Sequence, residues 1–278
     1  MNDMKHAAEQ ILRRGYATLP MPDTLRRLFE AIPRQLSNIS PPLKDDFSFP
    51  ERLDGFLPFG QEHAENNPDH PDLCERFCYF RKHRNDHEPF VLATTDFYRS
   101  IETYEREVAS LSEAVLCEVF DHLGGQAPVS RGEDSYLQLC RYHAEFTDRG
   151  QDRTYLMDPH IDGQLLTFIA QTEQGLMAGD RTGMSQIDFS SSELFVMAGK
   201  LLELATDGEV KGLLHAVGRH ASDNERISLM YFQNPDFSAP YQSLRAGNPI
   251  DFYAVANDIH QSYGNPSYNG VVTERSTV

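Results

Sequence analysis

Four times in this chain a histidine is followed two positions later by an acid: His63/Glu65, His70/Asp72, His143/Glu145 and His160/Asp162. With 11 histidines and 42 Asp and Glu among 278 residues, a triplet of this kind means little alone. The company each one keeps must decide. His160/Asp162 opens "HIDGQLLTFI" and is followed by His215 in "KGLLHAVG", then by Arg226 and Ser228 in "ERISLMYF". Two imidazoles and one carboxylate with open coordination positions form the facial arrangement suited to non-haem Fe(II), because they hold the metal on one side and leave the other side free. His63/Glu65 and His70/Asp72 lie in a polar, acidic stretch and are not expected to be ligands.

Such a site needs elements that aim three side chains at one point. Alternation along a strand puts residues i and i+2 on one side, so His160 and Asp162 can share a strand while His215 comes from a neighbour. From about residue 135 the chain supplies short strand-like runs: "SYLQLCRYH", "LLTFIAQ", "GLMAG", "MSQIDF", "ELFVMAG", "LLELATDG", "GLLHAVGRH" and "RISLMYFQNP". Turn residues separate them at Asp180, Gly183, Gly199, Asp207-Gly208 and Asp223-Asn224. The spacing leaves no room for crossover helices, which predicts a jelly-roll barrel or sandwich and excludes a parallel doubly wound sheet.

The first 130 residues read as helix-rich. Phe97, Ile101, Tyr104, Val108, Leu111, Val115, Val119 and Leu123 recur at steps of three and four and give one apolar stripe. Asp96 is the expected N-cap, with Gly124-Gly125 as the stop. "AAEQILRRGYATLPMP" reads as a helix running into a strand near Tyr16 to Leu19, and "DTLRRLFEAI" as a second helix ending ahead of Pro33. About fifty residues of mixed character, rich in Pro, Asp and Asn, precede the long helix and are expected to cover a site. The tail after Pro240, with Tyr253, His260, Tyr263 and Tyr268, reads as loop folded back over the core.

A net charge of −17 argues against a polyanionic partner, since nucleic-acid recognition rests on Lys and Arg neutralising phosphates. There is no run of about eighteen apolar residues and no apolar leader at the N-terminus, so no membrane partner is expected and the protein is expected to be soluble and cytoplasmic. Cys74, Cys78, Cys117 and Cys140 are too few for a disulfide scaffold and read as reduced thiols. His83 and His87 in "RKHRNDHEPF" read as part of a solvated basic patch rather than a metal site.

The stretch from about 135 to 236 resembles the iron(II)- and 2-oxoglutarate-dependent dioxygenases, in particular the branch similar to isopenicillin N synthase and the plant flavonoid and hormone oxygenases. Their His-x-Asp followed by Leu-Thr matches His160, Asp162, Leu166 and Thr167; "QTEQGLM" is similar to their Gly-Leu-Gln turn; His215 falls at the distal ligand position; and Arg226-x-Ser228 matches their Arg-x-Ser strand. The resemblance implies a mainly β fold with flanking helices, built as a double-stranded β-helix (jelly-roll) core with an N-terminal helical region and a long supporting helix. It implies one domain over 1–278: helix-rich 1–130, core about 135–236 and a C-terminal covering segment 237–278. It also implies His160, Asp162 and His215 as ligands of Fe(II), and Arg226, Ser228 and Tyr142 as contacts of 2-oxoglutarate, with O2 as the other co-substrate.

The physical logic agrees with this. A dicarboxylate held at its far end needs a fixed cation, and Arg226 can meet a carboxylate bidentately while Ser228 donates a further hydrogen bond. The chain departs from the family at Cys140, where many members have Asn, at Ala216, where Arg is usual, and at Lys200, where Asp is usual. None of these is a ligand position. The activity implied is oxidative decarboxylation of 2-oxoglutarate coupled to hydroxylation, desaturation or cyclisation of a small molecule, of the kind found in specialised metabolism. Retention of Asp162 points away from halogenation. Two alternatives stand beside it: a non-catalytic jelly-roll binding protein, and an iron oxidase that does not use 2-oxoglutarate, which Arg226 and Ser228 argue against. Substrate contacts are expected among His143, Arg141, Arg153, Tyr231 and Phe232, with one of the last two facing the barrel interior.

Overall fold

The computed structural model describes residues 2–64, 67–130, 132–180, 182–219 and 225–268. The turn expected at Asp223-Asn224, residue Glu65 and the last ten residues of the covering segment lie outside them. In chain order, helix α1 (Asn2–Arg14) leads into strand β1 (Tyr16–Pro20), then α2 (Asp23–Ser37), α3 (Pro41–Asp46), β2 (Ser48–Phe49), β3 (Asp54–Leu57) and β4 (Glu75–Phe80). A 3-10 segment (Arg81–His87), α4 (Glu88–Ala93) and the long α5 (Thr95–Leu123) follow. The strands of the second half are β5 (Tyr136–Tyr142), β6 (Tyr155–His160), β7 (Leu166–Gln171), β8 (Leu176–Asp180), β9 (Gly183–Gln186), β10 (Glu193–Ala198), β11 (Leu214–Gly218) and β12 (Arg226–Gln233). Short helices α6 (Ala144–Thr147) and α7 (Lys200–Ala205) interrupt them, and the hairpin β13 (Tyr241–Gln242) and β14 (Pro249–Ile250) precedes α8 (Phe252–Ser262).

The strands form an eight-stranded sheet in the order β1-β10-β7-β12-β5-β4-β3-β2 and a four-stranded sheet in the order β6-β11-β8-β9. From β5 to β12 the chain moves back and forth between the two sheets, and every pairing is antiparallel. This is the expected double-stranded β-helix. Alternation divides each strand of the large sheet. On β12, Ile227, Leu229 and Tyr231 face one way, and Arg226, Ser228, Met230 and Phe232 the other. The first set belongs to the layer beneath α5, whose apolar stripe is buried at Phe97, Ile101, Tyr104, Val108, Val115 and Val119. That stripe has the helical period the sequence shows, and α5 ends at Gly124, whose φ of 71° suits glycine, with its N–H on the Asp121 carbonyl.

Four local expectations are corrected. "LLELATDG" is not a strand: it forms α7, because Leu201, Leu202 and Ala205 find the core at helical spacing, and a short apolar run cannot declare its period. Helix α2 does not stop before Pro33 but continues to Ser37. Leu25, Phe29, Ile32 and Leu36 are all buried, so the packing of one continuous face against α5 outweighs the roughly 3 kcal/mol that an interior proline costs. The mixed stretch before α5 holds β2, β3 and β4, which extend the large sheet. The tail is helical at α8 rather than loop, although it does lie against the core through Phe252, Ala256 and His260. No helix among the described residues is long and apolar enough to cross a membrane.

Candidate active site

His160 is the last residue of β6, and His215, on β11, is its direct register partner. Asp162 lies two residues on, in the turn before β7, rather than on the strand with His160 as alternation suggested. The turn is held by backbone bonds from Lys200 N–H to the Asp162 carbonyl and from Gly199 N–H to the Leu165 carbonyl. One ligand atom from each of the three side chains falls within 4.8 Å of the others. His160 Nε2 is 3.5 Å and His215 Nε2 3.7 Å from Asp162 Oδ1. Each imidazole gives its other nitrogen to the backbone: Nδ1 of His160 donates to the Asp158 carbonyl (2.8 Å) and Nδ1 of His215 to the Leu213 carbonyl (3.2 Å). Both Nε2 atoms are thereby turned toward the carboxylate, while Thr167 Oγ1 donates to Asp162 Oδ2 (2.5 Å) and fixes that side chain.

Charges here are balanced for a cation. Burial opposes ionisation of Asp162, but His215 and His160 overcome it and hold the carboxyl below its ordinary range. Burial likewise opposes protonation of His160, yet the hydrogen bond to Asp162 lifts it to about 9. His215, buried and beside His160, is pushed down to about 4. Two imidazole Nε2 atoms and a carboxylate oxygen converging on one point, each steadied by a further hydrogen bond, are a donor set that fits Fe(II).

Deeper on the interior face of the large sheet, Arg226 is register partner of Tyr142, and Ser228 of Cys140 and Gln171. The Arg226 guanidinium is 1% exposed and lies 5.0 Å from the centre of the Tyr142 ring. It reaches Ser228 Oγ at 3.4 Å and Gln171 Oε1 at 3.1 Å. Its Nε and the Tyr142 hydroxyl are buried with no hydrogen-bond partner, and among the described residues no carboxylate pairs with it. A buried cation without an anion is costly. These orphaned groups fit the far carboxylate of a bound dicarboxylate. Gln171 was missed in the sequence, although its place on the strand beside Ser228 is the sort of relation that only register supplies.

Around the triad lies a partly open cavity. Met157, His160 and His215 of the small sheet and Tyr136, Gln138, Met230 and Phe232 of the large one line it, so it sits between the sheets; Ala256, Ile259 and His260 of α8, with Tyr263 and Asn265, close it. Of the five expected substrate contacts, Phe232 alone lines this cavity, stacked on Tyr136 at 4.7 Å. Tyr231 is buried on the opposite face of β12, in the field of Glu105 from α5. Arg141 points away too, paired with Glu225 (2.7 Å) and Glu75 (3.5 Å), because it is out of phase with Cys140 and Tyr142 on β5. His143 and Arg141 border a separate surface groove. Arg153 braces the approach to β6 through the Pro71 carbonyl (2.6 Å) and Asp158 (3.3 Å) without lining the cavity.

Other polar groups at the cavity gave no signal in the sequence. Glu62 accepts from Gln138 Nε2 (3.0 Å) and Asn265 Nδ2 (2.8 Å) and pairs with buried Arg76. Burial works against its charge, but Arg76 and these bonds hold its carboxyl below the usual range. Asp72, from one of the dismissed triplets, also lines the cavity; burial and the nearby Glu62 raise it to about 7. His87, expected in a solvated patch, is wholly buried between Asp54 (2.6 Å) and the Tyr98 hydroxyl (2.6 Å). Cys74, Cys78 and Cys140 are buried free thiols, and Cys117 is free and exposed.

Residues 134–235 match the family model described as the 2OG-Fe(II) oxygenase superfamily. The chain carries a 2OG-Fe(II) oxygenase domain. A domain of this family is an oxidoreductase of the dioxygenase type that uses Fe(II), 2-oxoglutarate and O2. Its fold is shared by solved structures of low identity. A 2OG-Fe(II) oxygenase family protein from Caulobacter crescentus is 18% identical with a TM-score of 0.75, over 94% of this chain and 95% of that one. A full-length Neurospora crassa protein in complex with alpha-KG and thymine is 17% identical with a TM-score of 0.74, over 94% and 91%. JOX2 in complex with 2OG, Fe and JA is 17% identical with a TM-score of 0.73, over 96% and 82%. No curated protein matches the oxygenase in sequence.

Proposed function

We propose that His160, Asp162 and His215 hold the Fe(II), that Arg226, Ser228 and Tyr142 hold 2-oxoglutarate by its far carboxylate, and that the whole chain acts as one oxygenase domain on a small molecule. The observation that carries the assignment is the buried Arg226 guanidinium, which lacks an anion among the described residues and shares a sheet interior with the triad. When bound, iron and 2-oxoglutarate supply the oxidising power to remove hydrogen from an unactivated C–H bond. The chain's own residues do the positioning. Asp162 and the two imidazoles, which line the cavity, would hold the metal there, Thr167 keeps the carboxylate from turning, and Met230 and Phe232 set apolar surface beside it.

Hydroxylation, desaturation or ring closure of a small molecule suits a cavity that sets an apolar wall against the triad. Structures with the same fold hold thymine and JA, both small molecules. Four free thiols, three of them buried, suit the cytoplasm. The test is anaerobic reconstitution with Fe(II) followed by 2-oxoglutarate, read as the charge-transfer absorption of the chelate, and then admission of O2 with measurement of succinate. The absence of that band with intact protein would sink the reading. Arg226→Ala is expected to weaken 2-oxoglutarate about tenfold to a hundredfold; unchanged affinity would refute the assigned anchor.

A further inference from the structure

The cavity above the triad has a chemical character of its own. Among the described residues its lining contains no lysine and no arginine; its titratable groups are the carboxyls of Glu62, Asp72 and Asp162 and the imidazoles of His63, His160, His215 and His260. Arg76, outside that lining, is 3% exposed and paired with Glu62, which does line the cavity. With His160 and His215 holding the metal, a substrate carboxylate would meet acceptors and no lysine or arginine. A substrate ammonium would fare little better, because the charge of Glu62 is neutralised from behind and a metal dication would lie across the cavity.

What the wall does offer is neutral hydrogen bonding. Asn265 Oδ1 and Asp72 Oδ1 are buried acceptors without a partner. His260 Nε2 is likewise buried and unpartnered, on an imidazole that burial holds neutral and that stacks on Tyr268 at 4.2 Å. Asn265 cannot turn freely to satisfy itself, since its amide N–H is committed to Glu62 at 2.8 Å, and Glu62 is in turn held by Gln138 and Arg76. Each orphaned group costs about 1–3 kcal/mol until something pairs with it. The remaining wall, Met157, Met230, Phe232, Ala256 and Ile259, is apolar.

We infer that the substrate is a compact, uncharged molecule bearing an amide- or lactam-type group, whose N–H is received by Asn265 and the Glu62 side and whose carbonyl is met by His260, with an apolar body against Met230 and Phe232. This deepens the functional assignment above and rests on it. The group fits because it brings one donor and one acceptor on a short, flat frame, and the neutral imidazole can supply the Nε2–H that its carbonyl needs.

The experiment uses the full chain, loaded anaerobically with Fe(II) and saturating 2-oxoglutarate, and three probes of one skeleton: benzamide, benzoate and benzylamine. Binding is read from the shift of the chelate absorption and from thermal stabilisation. The expected result is that benzamide binds at least tenfold more tightly than either charged probe, and that Asn265→Leu removes most of that preference while the chelate band persists. If that variant does not fold, Asn265→Ala gives the same comparison without adding bulk. Equal or tighter binding of benzoate or benzylamine overturns the inference, as does a preference untouched by either variant or a failure of all three probes to bind. Loss of the chelate band in intact protein instead overturns the underlying assignment, so the two failures are told apart.

Discussion

At the scale of single residues, the geometry of the triad depends on groups outside it. Thr167 donates to the Asp162 oxygen that faces away from the imidazoles, and both histidines are oriented by backbone carbonyls. Removing the hydroxyl while keeping the shape, as in Thr167→Val, is expected to weaken Fe(II) about tenfold to a hundredfold. Anaerobic metal titration checks this, with Asp162→Ala as the variant that loses the site altogether. If Thr167→Val bound iron as tightly as the parent, the carboxylate would not be under the control assigned here. The residue types and order of His160, Asp162, His215, Arg226 and Ser228 were readable from the sequence because the chemistry leaves few alternatives. Glu62 and Asn265 were not, since two polar residues 203 positions apart carry no mutual signal until the fold joins them.

At the scale of elements, two contacts decide whether the site is built. Gly199 packs so closely under the Asp162 turn that a β-carbon there would lie 2.2 Å from the Gln164 carbonyl oxygen and 2.9 Å from that of Asp162. Both obstacles are backbone. Gly199→Ala should therefore cost about 1–3 kcal/mol in denaturant unfolding and also lower metal affinity, because the turn must shift. Helix α8 carries the second contact. Burial holds His260 down to about 4 from an ordinary 6.5, so the unfolded chain takes up its proton first as pH falls. The stability gained is fully present above pH 6.5 and declines between 6.5 and 4, by roughly 3 kcal/mol at most. Equilibrium unfolding of the metal-free protein across that range should show a shallower decline in His260→Gln than in the parent. Equal slopes would mean that other groups dominate the acid response.

At the scale of the whole molecule, two sheets enclose a site whose polar groups are satisfied only in part by protein. The orphaned Arg226 Nε and Tyr142 hydroxyl, together with the paired charges of the triad, leave the apo fold carrying a cost that ligands remove. Anaerobic Fe(II) with 2-oxoglutarate should raise the melting temperature, and at a hundred times the dissociation constant the stabilisation is about 2.7 kcal/mol. In Arg226→Ala the increment from iron alone should remain and that from 2-oxoglutarate at the same concentration should fall to about 0.4–1.4 kcal/mol. Scanning fluorimetry with each ligand singly and together gives the comparison.

The sequence by itself determined the elements with a strong period and the residues with demanding chemistry: the stripe of α5, the run of short strands after residue 135, the three ligand candidates and the Arg226-x-Ser228 pair. Each is a local pattern, set by helical or strand geometry within a few residues. Tertiary structure decided what local pattern cannot carry. It made α7 a helix and drew α2 past Pro33, because burial against neighbours outweighs short-range preference. It paired β11 with β6 so that His215 lies opposite His160, and sent Arg141 and Tyr231 to the far side of the sheet, because a strand's phase has meaning only once its neighbours are placed. And it brought Glu62, Asp72, His260 and Asn265 to the lining of one cavity.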